Sequence, residues 1–223
     1  MTHSGDPWTV SGMKANNARH EAPVREFLQA VVKNPPLHAK FMNMLSMLEH
    51  MGSRKIMVSQ MRRTLTEDSL KHLAEEARHA YFFKRQAERV AGQALDGYTE
   101  ENTMARVPAL MYFGRLDAGI SARAADAEDR DNQAYPWVSL IIELRACWLY
   151  HIYHQVLEEA KVHISLKSLL AEEDLHLAEM FEMVGENTDL LRELSAYETE
   201  LFGKLWVKLS PELSTGHAQA KAA

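Results

Sequence analysis

The chain has 223 residues, of which 46% are hydrophobic and 25% charged, and its formal net charge is −6. This composition excludes a disordered, collagen-like or rod-shaped chain and favours a globular protein with a sizeable core. The negative charge argues against a general nucleic-acid-binding protein, which is usually basic.

Cysteine content and hydropathy narrow the class of protein further. The single cysteine, Cys147, excludes an intrachain disulfide framework and a cysteine-based zinc or iron–sulfur site, so a cytoplasmic location is expected. The first twenty residues contain no apolar signal segment. The longest apolar stretch, 137–153, is interrupted by Glu143, Arg145 and His151 and is shorter than the ~20 residues of a membrane span. We therefore expect no membrane association.

Helical periodicity dominates the first half of the chain. Residues 1–20 are polar and aperiodic and predict a flexible N-terminal arm. A helix is predicted from Ala22 to the Asn34-Pro35-Pro36 stop, followed by a long helix from Leu37 to Met61. A third helix is predicted from about 67 to 91, with Thr66 as its N-cap and Gly92 near its end.

The second half contains a long connection and three further helices. Residues 93–134 include a short apolar helix over 107–120 and a charged, solvated loop over 124–133. Pro136 opens a helix that runs to about 161, and two more helices cover about 166–184 and 189–209, with Asn187 or Thr188 as the last N-cap. We expect residues 210–223 to form a flexible tail.

These elements predict an all-α protein with one helical domain over residues 21–209. Short connections at 62–66 and 162–165 predict two antiparallel helical hairpins, which the 93–134 crossover joins into a four-helix bundle. The first and last helices are additions to that bundle.

Two Glu-x-x-His motifs are the candidate metal-binding motifs of the sequence. They are Glu76-Ala-Arg-His79 and Glu173-Asp-Leu-His176, and no other glutamate in the chain has a histidine three residues later. Residues at this spacing share one helix face, so a carboxylate and an imidazole can approach the same metal ion.

Each motif is preceded by an acid in an apolar helix. Glu49 lies 27 residues before Glu76, and Glu143 lies 30 residues before Glu173. In an antiparallel hairpin with arms of ~13 residues, these intervals bring the acid and the motif to the same depth. A carboxylate there is costly to bury unless it is paired or bound to metal. The repeat predicts that each hairpin supplies half of one metal site.

In these six residues the sequence resembles the ferritin-like di-iron carboxylate superfamily, over roughly residues 37–185. The resemblance implies that Glu49, Glu76, His79, Glu143, Glu173 and His176 bind two iron ions, which cycle between Fe²⁺ and Fe³⁺. Manganese is an alternative, because carboxylate and imidazole ligands accept either metal.

Two further residues lie near the predicted ligands. His72 shares a helical stripe with Glu76 and His79 and is a candidate third histidine ligand or a supporting residue. The corresponding position in the other hairpin is Leu169, so the repeat does not require a ligand there. Tyr150, two turns after Glu143, is a candidate for a hydrogen bond or a radical near the metals, with core packing as the alternative.

The resemblance implies an oxidase or oxygenase that activates O₂ to oxidise a small organic substrate. Its electrons would come from an external donor, a ferredoxin or a reductase, and a homodimer is a further expectation. The lone cysteine argues against a rubredoxin-bearing peroxidase, and the extra helices argue against a storage cage. The alternatives are a ferroxidase or iron-binding protein without organic substrate, a tRNA-modifying hydroxylase, and a helical bundle without metal.

Overall fold

The computed structural model describes residues 10–60, 66–126, 134–185 and 188–214. They form seven long α-helices and no strand, which confirms the all-α class. The helices are α1 (Val10–Val32), α2 (Pro35–Gln60), α3 (Glu67–Ala91), α4 (Arg106–Asp126), α5 (Ala134–Glu159), α6 (Lys167–Val184) and α7 (Thr188–Leu209). None of these described helices is long and apolar enough to cross a membrane.

The predicted caps set the limits of α3. The Thr66 side chain accepts a hydrogen bond from the Ser69 N–H at 3.2 Å, and the Ser69 hydroxyl accepts one from the Thr66 N–H at 3.1 Å. This reciprocal pair is a capping box, which satisfies two backbone groups at the helix start. At the other end Gly92 has a φ of +69°, the left-handed conformation that favours glycine after a helix.

Helices α2 and α3 form an antiparallel hairpin. The Ser46 hydroxyl donates to the Ala80 carbonyl at 2.6 Å, and Lys84 donates to the Asn43 side chain at 3.2 Å. Moving forward along α2 therefore means moving backward along α3. This register confirms the predicted pairing of these two helices.

Helices α5 and α6 pack against each other after a short connection. The turn between them is held by backbone hydrogen bonds, among them that from the Val162 N–H to the Leu157 carbonyl at 3.0 Å. Most of α5 is buried, in keeping with its apolar sequence. This packing confirms the prediction that these two helices form a pair.

The chain divides into two compact units. The first unit comprises described residues of Met1–Glu26 and Arg115–Gly203, and therefore contains α5 and α6. The second unit comprises Phe27–Gly114 and described residues of Lys204–Ala223, and contains α2 and α3. The predicted domain limits at 21 and 209 stay predictions.

The start of α1 corrects one expectation. The helix begins at Val10 rather than Ala22, so residues 10–20 of the predicted flexible arm are helical, and Pro23 lies inside the helix. Residues 1–9 of that predicted arm lie outside the described residues. The reason is Asn17, a polar residue that is 0% exposed on the buried stripe. Its amide donates to the Met13 carbonyl at 2.9 Å, and its oxygen accepts from Arg145 at 2.8 Å. Because this buried position is polar, the apolar periodicity in the sequence does not show the helix before Ala22.

Helix α4 is longer than predicted. It covers Arg106–Asp126 rather than 107–120, so the expected loop from 124 is helical in its first residues. Leu116, Ile120 and Ala124 repeat at helical spacing and are almost fully buried, which explains the extension. The rest of that predicted loop, 127–133, lies outside the described residues, as do Asn187 and the tail from 215.

Candidate metal centre

All six predicted ligands are buried. The exposed fractions are 7% for Glu49, 5% for Glu76, 3% for His79, 4% for Glu143, 0% for Glu173 and 1% for His176. Carboxylates are rarely buried to this extent without compensation. The sequence-based expectation that these four glutamates leave solvent is confirmed.

In the second unit, Glu76 is the centre of the arrangement. Its Oε1 lies 3.6 Å from His72 Nε2 and 3.9 Å from His79 Nδ1. Atoms that share one metal ion at bond lengths of about 2.0–2.2 Å are separated by roughly 3–4 Å. Glu76 is thus surrounded by nitrogen donors at distances that a shared cation accommodates.

A glycine on α2 makes room for the Glu76 carboxylate. A Cβ placed on Gly52 would lie 3.0 Å from Glu76 Oε2, closer than side chains normally approach. Gly52 is three residues after Glu49 on the same helix. The close approach of the carboxylate to α2 therefore depends on a residue without a side chain.

The hairpin register brings Glu49 to the depth of the Glu-x-x-His motif. Ser46 contacts Ala80 and Gly52 faces Glu76, and Glu49 lies midway between these two contacts. The interval of 27 residues predicted this depth. Within the second unit, the structure therefore places the acid and the motif as expected.

The first unit carries the corresponding acid and motif. His176 Nδ1 lies 3.2 Å from Glu173 Oε2 on α6, so the i and i+3 side chains meet on one face. Glu143 lies on α5, which packs against α6. The order of acid helix and Glu-x-x-His helix is therefore the same in both units.

Neighbouring acids are placed differently from the predicted ligands. Glu75 and Glu172 are half-buried and Asp174 is exposed. Glu75 lies 3.7 Å from Arg78 on the surface of α3. Helix geometry thus turns only one glutamate of each adjacent pair fully away from solvent, the one that has histidine three residues later.

The two additional candidates are both buried. His72 is 3% exposed, and its Nε2 is nearer to Glu76 than the His79 nitrogen is. Leu169, its counterpart on α6, is a buried apolar residue. Tyr150 is 3% exposed on α5. His50, by contrast, is exposed on α2, with its ring against Tyr98 at 5.8 Å.

Buried glutamate and histidine side chains in this structure form groups that could hold a metal ion. The members are Glu49, His72, Glu76, His79, Glu143, Glu173 and His176. This set contains every predicted ligand and His72. Oxygen and imidazole donors without thiolate suit iron, manganese or zinc rather than copper(I).

Two features of the site region were not visible in the sequence. One is the cradle at Gly52. The other is a buried ion pair between α5 and α7. In this pair, Arg145 Nε donates to Glu198 Oε1 at 2.7 Å. The Arg145 guanidinium also stacks on Phe202, with 3.9 Å from Cζ to the ring centroid. A second nitrogen of the Arg145 guanidinium donates to the Asn17 side chain at 2.8 Å.

Comparison with known proteins adds no relative: no protein-family model, curated protein or solved structure matches the chain.

Proposed function

We propose that the chain is a cytoplasmic di-iron oxidase or oxygenase with a ferritin-like four-helix bundle. Glu49, Glu76, His79, Glu143, Glu173 and His176 are its proposed metal ligands. The observation that supports this most strongly is the repeated burial of an acid and a Glu-x-x-His motif in two units of one chain.

Charge balance supports two divalent cations. Four ionised glutamates carry a charge of −4, and two divalent cations carry +4, so the filled set is neutral with neutral imidazoles. Burying charges without compensation costs several kcal/mol for each ion.

Iron is the proposed metal because the resemblance to the di-iron superfamily rests on this ligand set. When bound, a pair of ferrous ions supplies the electrons for the reduction of O₂ and so permits oxidation of an organic substrate. Manganese fits the same donors.

The chain itself supplies fixed ligand positions and an environment from which water is excluded. Glu76 and the imidazoles beside it are fixed by burial, which reduces the reorganisation needed on metal binding. Phe83 and Met47 in the second unit, and Leu144 and Trp148 in the first, are almost fully buried and exclude water. Such surroundings are suited to an apolar substrate and to protection of reactive oxygen species from solvent.

A ferroxidase is the main alternative, since oxidation of iron uses the same ligands. A tRNA-modifying hydroxylase is disfavoured by the net charge of −6. Oxygen consumption distinguishes an oxidase or oxygenase from a ferroxidase. We load metal-free protein anaerobically with two equivalents of Fe²⁺ and add O₂ in an oxygen electrode.

For an oxidase or oxygenase we expect uptake of about one O₂ per pair of ferrous ions, which then stops. Uptake resumes on addition of reduced ferredoxin. With a tenfold excess of Fe²⁺, a ferroxidase instead continues to consume O₂ until the added iron is oxidised. Continued uptake that follows the iron supply would therefore replace the oxygenase proposal with the ferroxidase.

A further inference from the structure

A second candidate site lies in a groove of about 320 Å³ within the second unit. Its walls are the N-terminal end of α2, the C-terminal end of α3 and the connection that follows α3. Six of its nine lining residues are apolar: Pro35, Pro36, Ala39, Val90, Ala91 and Leu95. The volume lies at the lower end of the range of small-molecule sites.

The polar part of the groove has one formal charge. Lys40 is the one charged lining residue, accompanied by the amides of Gln93 and Asn102. Lys40 is half-buried, and its ammonium forms no ion pair with any residue in the described ranges. An apolar floor with one cation and two amides is complementary to a small molecule with a single negative charge.

The wall opposite α2 is preformed. The Leu95 N–H donates to Glu88 at 3.1 Å, and the Leu95 carbonyl accepts from Lys84 at 2.7 Å. The buried Asn43 amide holds the Asn102 carbonyl at 2.9 Å. A groove whose wall is already fixed loses little conformational entropy when a ligand binds.

The groove is poorly suited to a doubly charged phosphate. Pro35 and Pro36 have no N–H, so the start of α2 provides few donors. The Leu37 N–H is already bonded to the Asn34 side chain, and the His38 N–H to the Asn34 carbonyl. One ammonium therefore neutralises a carboxylate but not a dianion.

We propose that this groove binds a small aliphatic monocarboxylate, with its carboxylate on Lys40 and its chain on the floor formed by α2, α3 and Leu95. This inference is independent of the metal-dependent function, because none of the proposed metal ligands lines the groove. It gives the protein a binding site for an organic acid besides its candidate metal centre.

Hexanoate is the probe for this proposal. We titrate it into the full-length protein and follow the backbone and side-chain amide signals of Gln93 and Asn102 by NMR. We expect saturable shifts with a Kd on the order of 1 mM, a reasonable affinity for a ligand of this size. Lys40→Met should raise the Kd by about fivefold, because a half-exposed charge pair is removed.

Matched controls make the result decisive. Lys14→Met removes the same charge from an exposed position on α1 and should leave the Kd unchanged. Ala91→Leu should abolish saturation by filling the floor, and hexan-1-ol should bind more weakly than hexanoate. Equal binding of the alcohol and the acid, an unchanged Kd in Lys40→Met, or no saturation by wild-type protein would overturn the proposal.

Discussion

Glu75 and Glu76 are adjacent, chemically identical residues on α3 in different surroundings. Glu76 is 5% exposed and lies beside two imidazoles, whereas Glu75 is half-buried and lies 3.7 Å from Arg78. Glu76→Gln should remove most bound iron, because a neutral amide is a weaker ligand for a hard cation. Glu75→Gln changes the same charge and should retain the metal, as measured by metal analysis after desalting.

Circular dichroism shows whether both variants remain helical. Equal iron content in folded Glu76→Gln and Glu75→Gln would contradict the assignment of Glu76 as a ligand.

His38 gives the molecule a residue-level pH dependence. It is 2% exposed on α2, and burial lowers its pKa from 6.5 to about 4. The folded state therefore holds this histidine neutral, while the unfolded state binds a proton below about pH 6.5. Its contribution to stability is present above pH 6.5 and is lost as the pH falls towards 4, by up to about 3 kcal/mol.

Urea unfolding of His38→Gln should thus show a shallower loss of stability between pH 6.5 and 4 than wild type. His50→Gln, which removes an exposed histidine from the same helix, is the control and should follow wild type. Parallel pH curves for wild type and His38→Gln would show that His38 is protonated in the folded state as readily as in the unfolded state.

The site residues differ in how far sequence could predict them. The Glu-x-x-His pairs were predictable because helix geometry converts a spacing of three into a shared face. The sequence does not decide the role of His72, since its counterpart is Leu169 and spacing alone does not measure the distance to Glu76. The cradle at Gly52 was not predictable, because it depends on how closely a carboxylate from another helix approaches.

At the scale of elements, the Arg145–Glu198 pair connects α5 to α7 within the first unit. Glu198 is 0% exposed, and Arg145 also donates to Asn17 of α1. Glu198→Ala leaves a buried guanidinium without its counter-charge and should lower the free energy of unfolding by about 3–5 kcal/mol. The double variant Arg145→Met/Glu198→Leu should recover most of that loss, because packed apolar groups replace the pair.

Urea unfolding monitored by circular dichroism measures these differences. Glu193→Ala is the control, since Glu193 forms an exposed pair with Arg123 at 3.2 Å and should change stability by less than about 1 kcal/mol. If Glu198→Ala were as stable as Glu193→Ala, the buried pair would have no structural importance.

Helix limits followed from sequence wherever a local signal marks them. Thr66 and Gly92 mark α3, and the Asn34-Pro35-Pro36 segment marks the end of α1, which ends at Val32. Helix α2 begins at Pro35, two residues before the predicted start at Leu37. The predicted start of α1 at Ala22 is wrong because Asn17 interrupts the apolar stripe. The Asn17 side chain is hydrogen-bonded to Arg145 and Thr199, which lie 128 and 182 residues away in the chain. No local pattern encodes such distant contacts.

At the scale of the whole molecule, the two units repeat one design. Each contains a helix with a buried acid, followed by a helix with a buried Glu-x-x-His motif. The repeat was readable in the sequence because both copies have similar intervals. The metal, the reaction and the substrate do not follow from the repeat, since the same ligands support several chemistries.

Iron content per chain tests the central proposal most directly. Metal-free protein is loaded with Fe²⁺ under anaerobic conditions and desalted, and its absorption spectrum is recorded before and after addition of O₂. We predict about two irons per chain and a new near-ultraviolet absorption band after O₂ is added. A folded, helical protein that retains no iron and shows no spectral change would contradict the proposed metal centre.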